Sequence, residues 1–307
     1  MDTLSKIVLI AGPTASGKSS FAIKFANKIN GEIINADSMQ VYKELKILTA
    51  RPNKKNQKNI KHHLYGFQSV KKNFSTGKWL KLVIEKIVII KKRKKIPILV
   101  GGTGLYFKAL TDGLVKIPNI PVHFRTKIRK MHEKIGQKEF FNQLVKLDPL
   151  VKNFILPTDS QRSMRAFEVK KFTKKSLFEL IKNTQSNFDN SVFIKLFINT
   201  PKEILHTKIE KRVEKMFKEG AIEEVKKFIK MKIYRELSSN KIIGIREISK
   251  YLDGKISISE SKELICQKTR QYAKRQFTWA RGHMKSWERV YSPNINDLLK
   301  KAINKIS

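Results

Sequence analysis

The sequence predicts an α/β fold in which a parallel-sheet core carries an inserted all-helical domain. Three observations lead there. First, the apolar runs Ile7-Val8-Leu9-Ile10, Glu32-Ile33-Ile34-Asn35-Ala36-Asp37 and Ile96-Pro97-Ile98-Leu99-Val100 each lead through a turn towards a helical pattern, as parallel βαβ units do. Second, from Val122 to about Asn187 only helical patterns occur. Third, Val192-Phe193-Ile194-Lys195-Leu196-Phe197-Ile198 returns to a continuous apolar strand of the kind buried on both faces. The expected division is a core of residues 1–116 and 190–307 and a helical insert of residues 117–189.

The first strand runs into Gly12-Pro13-Thr14-Ala15-Ser16-Gly17-Lys18-Ser19, followed by the helical Ser20-Phe21-Ala22-Ile23-Lys24-Phe25-Ala26. This fits G-x-x-x-x-G-K-[ST] in the strand–loop–helix setting that the pattern requires. Gly12 and Gly17 let the backbone curl so that successive N–H groups point inward, and the positive end of the next helix adds to them. Lys18 supplies a point charge for a terminal phosphate, and the Ser19 hydroxyl suits a Mg²⁺ ion. The core is therefore expected to be P-loop nucleotide-kinase-like. The motif binds a di- or triphosphate and leaves the reaction open.

The second strand delivers Asp37 to the C-terminal edge of the sheet, where ligands of open α/β sheets bind. Ser38-Met39-Gln40-Val41-Tyr42 follows as a turn or short helix, then a polar loop through Thr49-Ala50-Arg51-Pro52. His62-His63 has no third metal ligand at a telling distance and reads as packing. Between Lys78 and Lys95 the residues Trp79, Leu82, Val83, Ile87 and Ile90 recur at helical spacing. Lysines gather at the end of that helix, where they favour its dipole. Gly101-Gly102-Thr103-Gly104-Leu105-Tyr106 then turns sharply from the third strand into another helix.

Ile117-Pro118-Asn119-Ile120-Pro121 breaks this rhythm with two prolines. Helices are expected from Val122, from Gln137 to Leu147, from Asp159 to Phe172 and from Ser176. After the strand at 192–198, Pro201 starts a helix that carries Arg212, and long helices follow to about Gly282. Trp287-Glu288-Arg289-Val290-Tyr291 reads as a last strand before a terminal helix.

The chain of 307 residues has a formal net charge of +39, from 65 Lys plus Arg against 26 Asp plus Glu. Such an excess repels itself within a compact fold and attracts polyanions, which makes nucleic acid the leading partner class. Heavy use of Lys, Ile and Asn offers a compositional origin for part of that charge. No apolar run reaches the roughly 18 residues that span a bilayer, and Met1-Asp2-Thr3 lacks a basic segment before a long apolar stretch. A soluble, cytoplasmic monomer with no membrane partner is expected. The lone Cys266 agrees with a reducing compartment and reads as small apolar filler in a helix.

The chain resembles the tRNA dimethylallyltransferases, or isopentenyl-tRNA transferases. The segments that carry the likeness span nearly the whole sequence: 12–19, Ala36-Asp37-Ser38-Met39-Gln40-Val41-Tyr42, Ala50-Arg51-Pro52, Val100-Gly101-Gly102-Thr103-Gly104-Leu105-Tyr106, Asp159-Ser160-Gln161-Arg162 and Lys274-Arg275-Gln276. That resemblance implies a donor, dimethylallyl diphosphate, with its diphosphate held by Thr14 to Ser19 and Mg²⁺ near Ser19. It implies an acceptor, the N6 amine of the adenosine on the 3′ side of the anticodon, in a tRNA anticodon stem-loop. Arg212 would be a second cation on the diphosphate. Asp37 would draw off the N6 proton, with Thr14, Asp37 and Arg212 forming the catalytic group. Ser38, Met39 and Gln40 would line the base pocket. Thr103, Arg125 and the run Gln161, Arg162, Ser163, Met164 and Arg165 would touch the tRNA. Two departures stand out: Phe74-Ser75-Thr76 where the family commonly has an aspartate after its aromatic–Ser pair, and Gly244-Ile245-Arg246-Glu247 for a more usual Gly-Tyr-Arg-Glu.

The residues by themselves leave alternatives open. Asp37 is either a proton acceptor or a Walker-B-like Mg²⁺ ligand, Arg212 either a diphosphate ligand or a surface ion-pair arginine. Arg162 and Arg165, three apart on one helical face, also suit a solvated surface. A P-loop kinase for a small metabolite or nucleoside, and a basic RNA-binding P-loop ATPase, remain as competing activities.

Overall fold

In the computed structural model, which describes residues 5–53, 57, 60–234 and 236–303, the chain alternates strand and helix at its start. The Met1-Asp2-Thr3 start lies outside the described residues. The order is β1 (Ile7–Ala11), α1 (Lys18–Lys28), β2 (Gly31–Asn35), β3 (His62–His63), α2 (Thr76–Lys92), β4 (Ile96–Gly101) and α3 (Gly104–Thr111). Three helices follow: α4 (Val122–Leu147), α5 (Ser160–Thr173) and α6 (Leu177–Lys182). The chain then continues through β5 (Phe193–Ile198), α7 (Lys202–Lys218), α8 (Ala221–Lys230), α9 (Ile245–Leu252), α10 (Ile258–His283), β6 (Glu288–Val290) and α11 (Ile295–Ile303).

The six strands form one sheet in the order β3-β2-β4-β1-β5-β6, and every pair is parallel. The expected α/β class and parallel core are therefore what the chain forms. β1 lies between β4 and β5, so the chain builds outward to one side of β1 first and to the other side later. Such a reversal opens a crevice at the C-terminal ends of the strands. Because all strands run the same way, the loops after β1, β2, β4 and β5 share that one edge.

The core follows from the two-sided burial of the strands. Alternate residues Val8, Ile10, Ile33, Ile98 and Val100 pack with Phe21 and Phe25 of α1 and with Leu298 and Leu299 of α11. On α2, Trp79, Val83, Ile87 and Ile90 are buried. Ser75 caps this helix by accepting from Lys78 N–H at 3.3 Å. The Trp79 indole donates to the Asn35 carbonyl at 2.9 Å and stacks on Tyr106 at 4.1 Å. A second cluster joins α7, α8, α9 and α10 to Val41, Tyr42, Leu45 and Leu48. Cys266 belongs to it, buried, with burial pushing its thiol up.

The histidines at 62–63 are used within the fold. His63 Nε2 pairs with Glu32 at 2.7 Å, and Arg93 and Lys95 share that buried carboxylate at 3.1 and 3.6 Å. A ring N–H of His62 donates to the Ile60 carbonyl at 2.7 Å.

The chain separates into two compact units, residues 1–111 with 188–307 and residues 112–187. The smaller unit is helical. Gly136, at φ 74°, breaks α4 into the two helices that the sequence suggested there. Ile128, Phe140, Leu144, Val151, Ala166 and Phe167 make its core.

Candidate active site

The loop after β1 is shaped at Gly17, whose φ of 86° lies in the left-handed region that favours glycine. Gly17 precedes α1 and no side chain caps that helix, so its first N–H groups are left for an anion. Lys18 is partly buried and its Nζ donates to the Pro13 carbonyl at 3.0 Å. Burial pushes its ammonium down to about 8; the Asp37 carboxylate opposes that shift and the Arg212 guanidinium adds to it. Arg212 reaches the loop from α7, its Nη1 donating to Thr14 Oγ1 at 2.9 Å. The Ser16 carbonyl accepts from the Thr200 hydroxyl at 3.1 Å, which ties the loop after β5 to the loop after β1. Burial pushes the Arg212 guanidinium down, and Asp37 again opposes the shift.

The loop after β2 is held by Asn35. Its Oδ1 accepts from Asp37 N–H at 2.9 Å and its Nδ2 donates to the carbonyls of Asp37 and Leu64 at 2.9 and 3.0 Å. One oxygen of Asp37, Oδ1, accepts from Met39 N–H at 2.9 Å and Gln40 N–H at 3.4 Å, so the carboxylate stands on a tight turn with a fixed orientation. Thr103, in the loop after β4, accepts from Ser38 N–H at 2.9 Å and donates to Ser38 Oγ at 3.2 Å. Gln40 donates to the carbonyls of Thr49 and Ala50 at 2.9 and 3.3 Å. The charge of Asp37 also raises the phenols of Tyr65, Tyr106 and Tyr272, each already raised more strongly by its own burial.

Thr14, Asp37 and Arg212 line a cavity of about 290 Å³ whose other walls include Met39, Leu48, Val213, Met216, Ile242 and Ile265. Cations and a hydroxyl gather beside one carboxylate, next to an apolar chamber. Such a site can grip a phosphate group and shelter a small hydrocarbon or a flat ring from water. The geometry brings together Thr14, Lys18, Asp37 and Arg212, residues up to 198 positions apart in sequence.

The profile of the IPP transferase family matches residues 40–283. The chain belongs to the IPP transferase family. It is similar to a tRNA dimethylallyltransferase of Pelagibacter ubique, 58% identical over 301 residues, covering 98% of this chain and 96% of that one. A tRNA dimethylallyltransferase of Rickettsia canadensis is 42% identical over 284 residues, 91% of this chain and 86% of the relative. Among solved structures, the tRNA isopentenylpyrophosphate transferase of Bacillus halodurans superimposes with a TM-score of 0.69 at 29% identity over 98% of this chain and 97% of that one. A eukaryotic dimethylallyltransferase described as acting on tRNA gives a TM-score of 0.78 at 30% identity over 90% of this chain and 69% of its own.

The remaining residues singled out on family resemblance lie in the smaller unit. Arg125 is partly exposed in the first turn of α4, and Gln161 and Arg162 are exposed at the start of α5. Arg162 pairs with Asp159 at 3.2 Å and Arg165 with Glu168 at 3.3 Å. Met164 packs against the core of the unit. Ser163 is fully buried, its hydroxyl donating to the Asp159 carbonyl at 2.7 Å and accepting from Gln137 at 3.2 Å, so its side chain serves the interior of the unit.

Sequence reasoning for this IPP transferase family member missed the cavity wall that α10 supplies. Ile265, Thr269 and Tyr272 line the chamber, joined by Arg275 from the same helix and by Lys241 from the segment before α9. Their spacing along one helical face was a usable signal. The departure at Ile245 is a packing matter: Ile245 is buried, and Glu247 accepts from Gly244 N–H at 2.8 Å while pairing with Lys268.

Proposed function

We propose that the protein transfers a dimethylallyl group from dimethylallyl diphosphate to N6 of the adenosine at tRNA position 37, beside the anticodon. The products are N6-(dimethylallyl)adenosine and diphosphate. The observation that carries this reading is the meeting of Thr14, Asp37 and Arg212 on the wall of a largely apolar chamber, with Lys18 near enough to feel the charges of Asp37 and Arg212. The names of the relatives support the substrate class.

Adenine N6 is a poor nucleophile, because its lone pair is delocalised into the ring. In the transfer, a bond forms between N6 and C1 of the dimethylallyl group as the bond from C1 to the diphosphate oxygen breaks. The negative charge that develops on the leaving oxygen is met by Lys18, Arg212 and the N–H groups at the start of α1. Asp37 accepts the N6 proton as the amine loses its lone pair to carbon. Leu48, Val213 and Met216 keep water from C1. A paired base does not reach such a chamber, so the target nucleotide is turned out of its stack.

Among the described residues no group of three His, Cys, Asp or Glu side chains offers a metal cage. A magnesium ion would be held by the partly exposed Ser19 hydroxyl, in the first turn of α1 beside the diphosphate-gripping loop. When bound, it would add positive charge at the leaving group. No described helix is long and apolar enough to cross a membrane. A monomer that meets tRNA in the cytoplasm is the form in which we propose that it works.

The test is to incubate the protein with an anticodon stem-loop and either dimethylallyl diphosphate labelled in its prenyl group or γ-labelled ATP. Prenyl label on the stem-loop adenosine is the expected result. Movement of the γ-phosphate to a small acceptor, with no prenyl transfer, would make the protein a kinase.

A further inference from the structure

One segment of the resemblance, Lys274-Arg275-Gln276, has no chemical role in the reading above. Its last residue reaches the site. Gln276 sits on α10 and is 8% exposed. Its Oε1 accepts from Thr14 N–H at 2.8 Å, and its Nε2 donates to the Gly102 carbonyl at 2.8 Å. The orientation of the amide is dictated by its partners, since a backbone N–H only donates and a carbonyl only accepts. Space for the amide depends on Gly102, where a Cβ would lie 2.1 Å from Nε2.

The two bonds tie the loops after β1 and β4 together through one planar group. On one side, Thr14 carries Arg212 on its hydroxyl. On the other, Gly102 is followed by Thr103, which is bonded to Ser38 next to Asp37. Hydrogen bonds joined by short stretches of backbone therefore link the groups that face the leaving diphosphate to the turn that presents the carboxylate. The bond to Gln276 also occupies the Thr14 N–H, so the loop meets a diphosphate with its other N–H groups.

We propose that Gln276 is a positioning residue for the transfer: its amide sets the spacing between the diphosphate-gripping loop and the Asp37 turn. This rests on the prenyl-transfer reading above. Displacement at C1 needs N6 about 3–3.5 Å from C1 and in line with the breaking C1–O bond, and a misplacement of about 1 Å costs roughly 10²-fold. Gln276 affects the reacting atoms only through the two loops.

Two variants of the full chain separate this role from a general structural one. Gln276→Leu keeps similar bulk and loses both bonds; Gln276→Glu keeps an acceptor for Thr14 N–H and sets a carboxylate oxygen against the Gly102 carbonyl. For each, the measurements are the single-turnover transfer rate, the dissociation constants of dimethylallyl diphosphate and of the stem-loop, and the hydrogen exchange of the Thr14 amide by NMR. The expected result for Gln276→Leu is a rate lower by about 10²-fold with both affinities within about threefold of wild type, a loss confined to the transition state. Its Thr14 amide should exchange faster. In Gln276→Glu that amide should stay protected while the rate still falls. A rate near that of the wild type in both variants, or a loss of both affinities in step with the rate, overturns the proposal. Should the wild-type protein move no prenyl group, the functional reading fails, and Thr14 exchange then reports separately on whether the amide holds the loop.

Discussion

Asp37 is the residue on which the proposed chemistry turns, and its surroundings define a clean substitution. Asparagine in its place can still accept from Met39 N–H through its carbonyl, as Oδ1 does now at 2.9 Å, so the turn should persist. It cannot carry away the N6 proton. The Asp37→Asn rate should fall by about 10²–10⁴-fold, roughly 3–5 kcal/mol of transition-state stabilisation, with donor affinity unchanged. Rescue of the rate by excess Mg²⁺ would make Asp37 a metal ligand instead. Lys18 supplies a second prediction at this scale. Burial pushes its ammonium down to about 8 from an ordinary value of 10.5. Because the folded value is depressed, the cost of burying the charged amine is full below about pH 8, fades as pH rises towards 10.5 and is gone above it, where the amine is neutral in both states. A bound diphosphate reverses the balance by favouring the charged form. Donor binding at about pH 8.5–9 should therefore take up a proton, seen by calorimetry in two buffers of different ionisation heat, and affinity should decline as pH rises further. Binding without proton uptake in that range would show that Lys18 does not meet the diphosphate.

Two helices show how whole elements shape the chamber. The 26-residue α10 lays Ile265, Thr269, Tyr272 and Gln276 along one side, so a single rod runs from the apolar wall to the loop after β1. α8 acts through one carboxylate. Glu224 accepts from the N–H groups of Lys46, Ile47 and Leu48 at 2.7, 2.8 and 2.9 Å, and so fixes the segment that brings Leu48 to the cavity wall. Glu224→Gln removes the charge and turns an NH₂ group towards backbone donors. Hydrogen bonds to a charged group contribute about 1.5–3 kcal/mol each, so the variant should lose on the order of 2 kcal/mol in urea unfolding. Stability equal to wild type would mean that water replaces the carboxylate without loss.

For the molecule as a whole the dominant quantity is the +39 charge. A polyanion that neutralises part of it releases counterions, and the salt dependence of binding counts the phosphates engaged. If about six phosphates of an anticodon stem-loop are met, log K should fall with log[salt] at a slope near −5. A flat response would remove nucleic acid from the functional reading. The two compact units divide at 111/112 and 187/188, where the sequence reading drew 116/117 and 189/190. Residues proposed to touch tRNA occur in both units: Ser38 and Thr103 in the larger, Arg125 and Arg162 in the smaller.

Local pattern determined the elements. The apolar runs at 7–10, 32–37, 96–100 and 192–198 became parallel strands, and the break at Gly136 is where a residue with φ 74° interrupts a helix. Periodicity and glycine placement are short-range signals, set by backbone sterics and by which side of a strand or helix is buried. The loop from Gly12 to Ser19 was legible for the same reason: its chemistry is written in eight adjacent residues. The partners of that loop are not written beside it: Arg212 was expected there only through family resemblance, and Gln276 stood only within a shared segment of unassigned role. Arg212 meets Thr14 across 198 positions and Gln276 meets it across 262. No spacing rule reaches that far. The chamber wall was equally hidden, because Leu48, Met216 and Ile265 carry no motif and become lining only where two helices and the loops beside them leave a gap. What the sequence alone determined was therefore five of the six strands, the main helices and the phosphate-binding loop, while the short edge strand at His62–His63 depended on its pairing with β2. The tertiary structure decided which distant cation, amide and apolar side chains meet that loop, because such meetings depend on how the sheet edge and the helices pack together and not on any residue's neighbours in the chain.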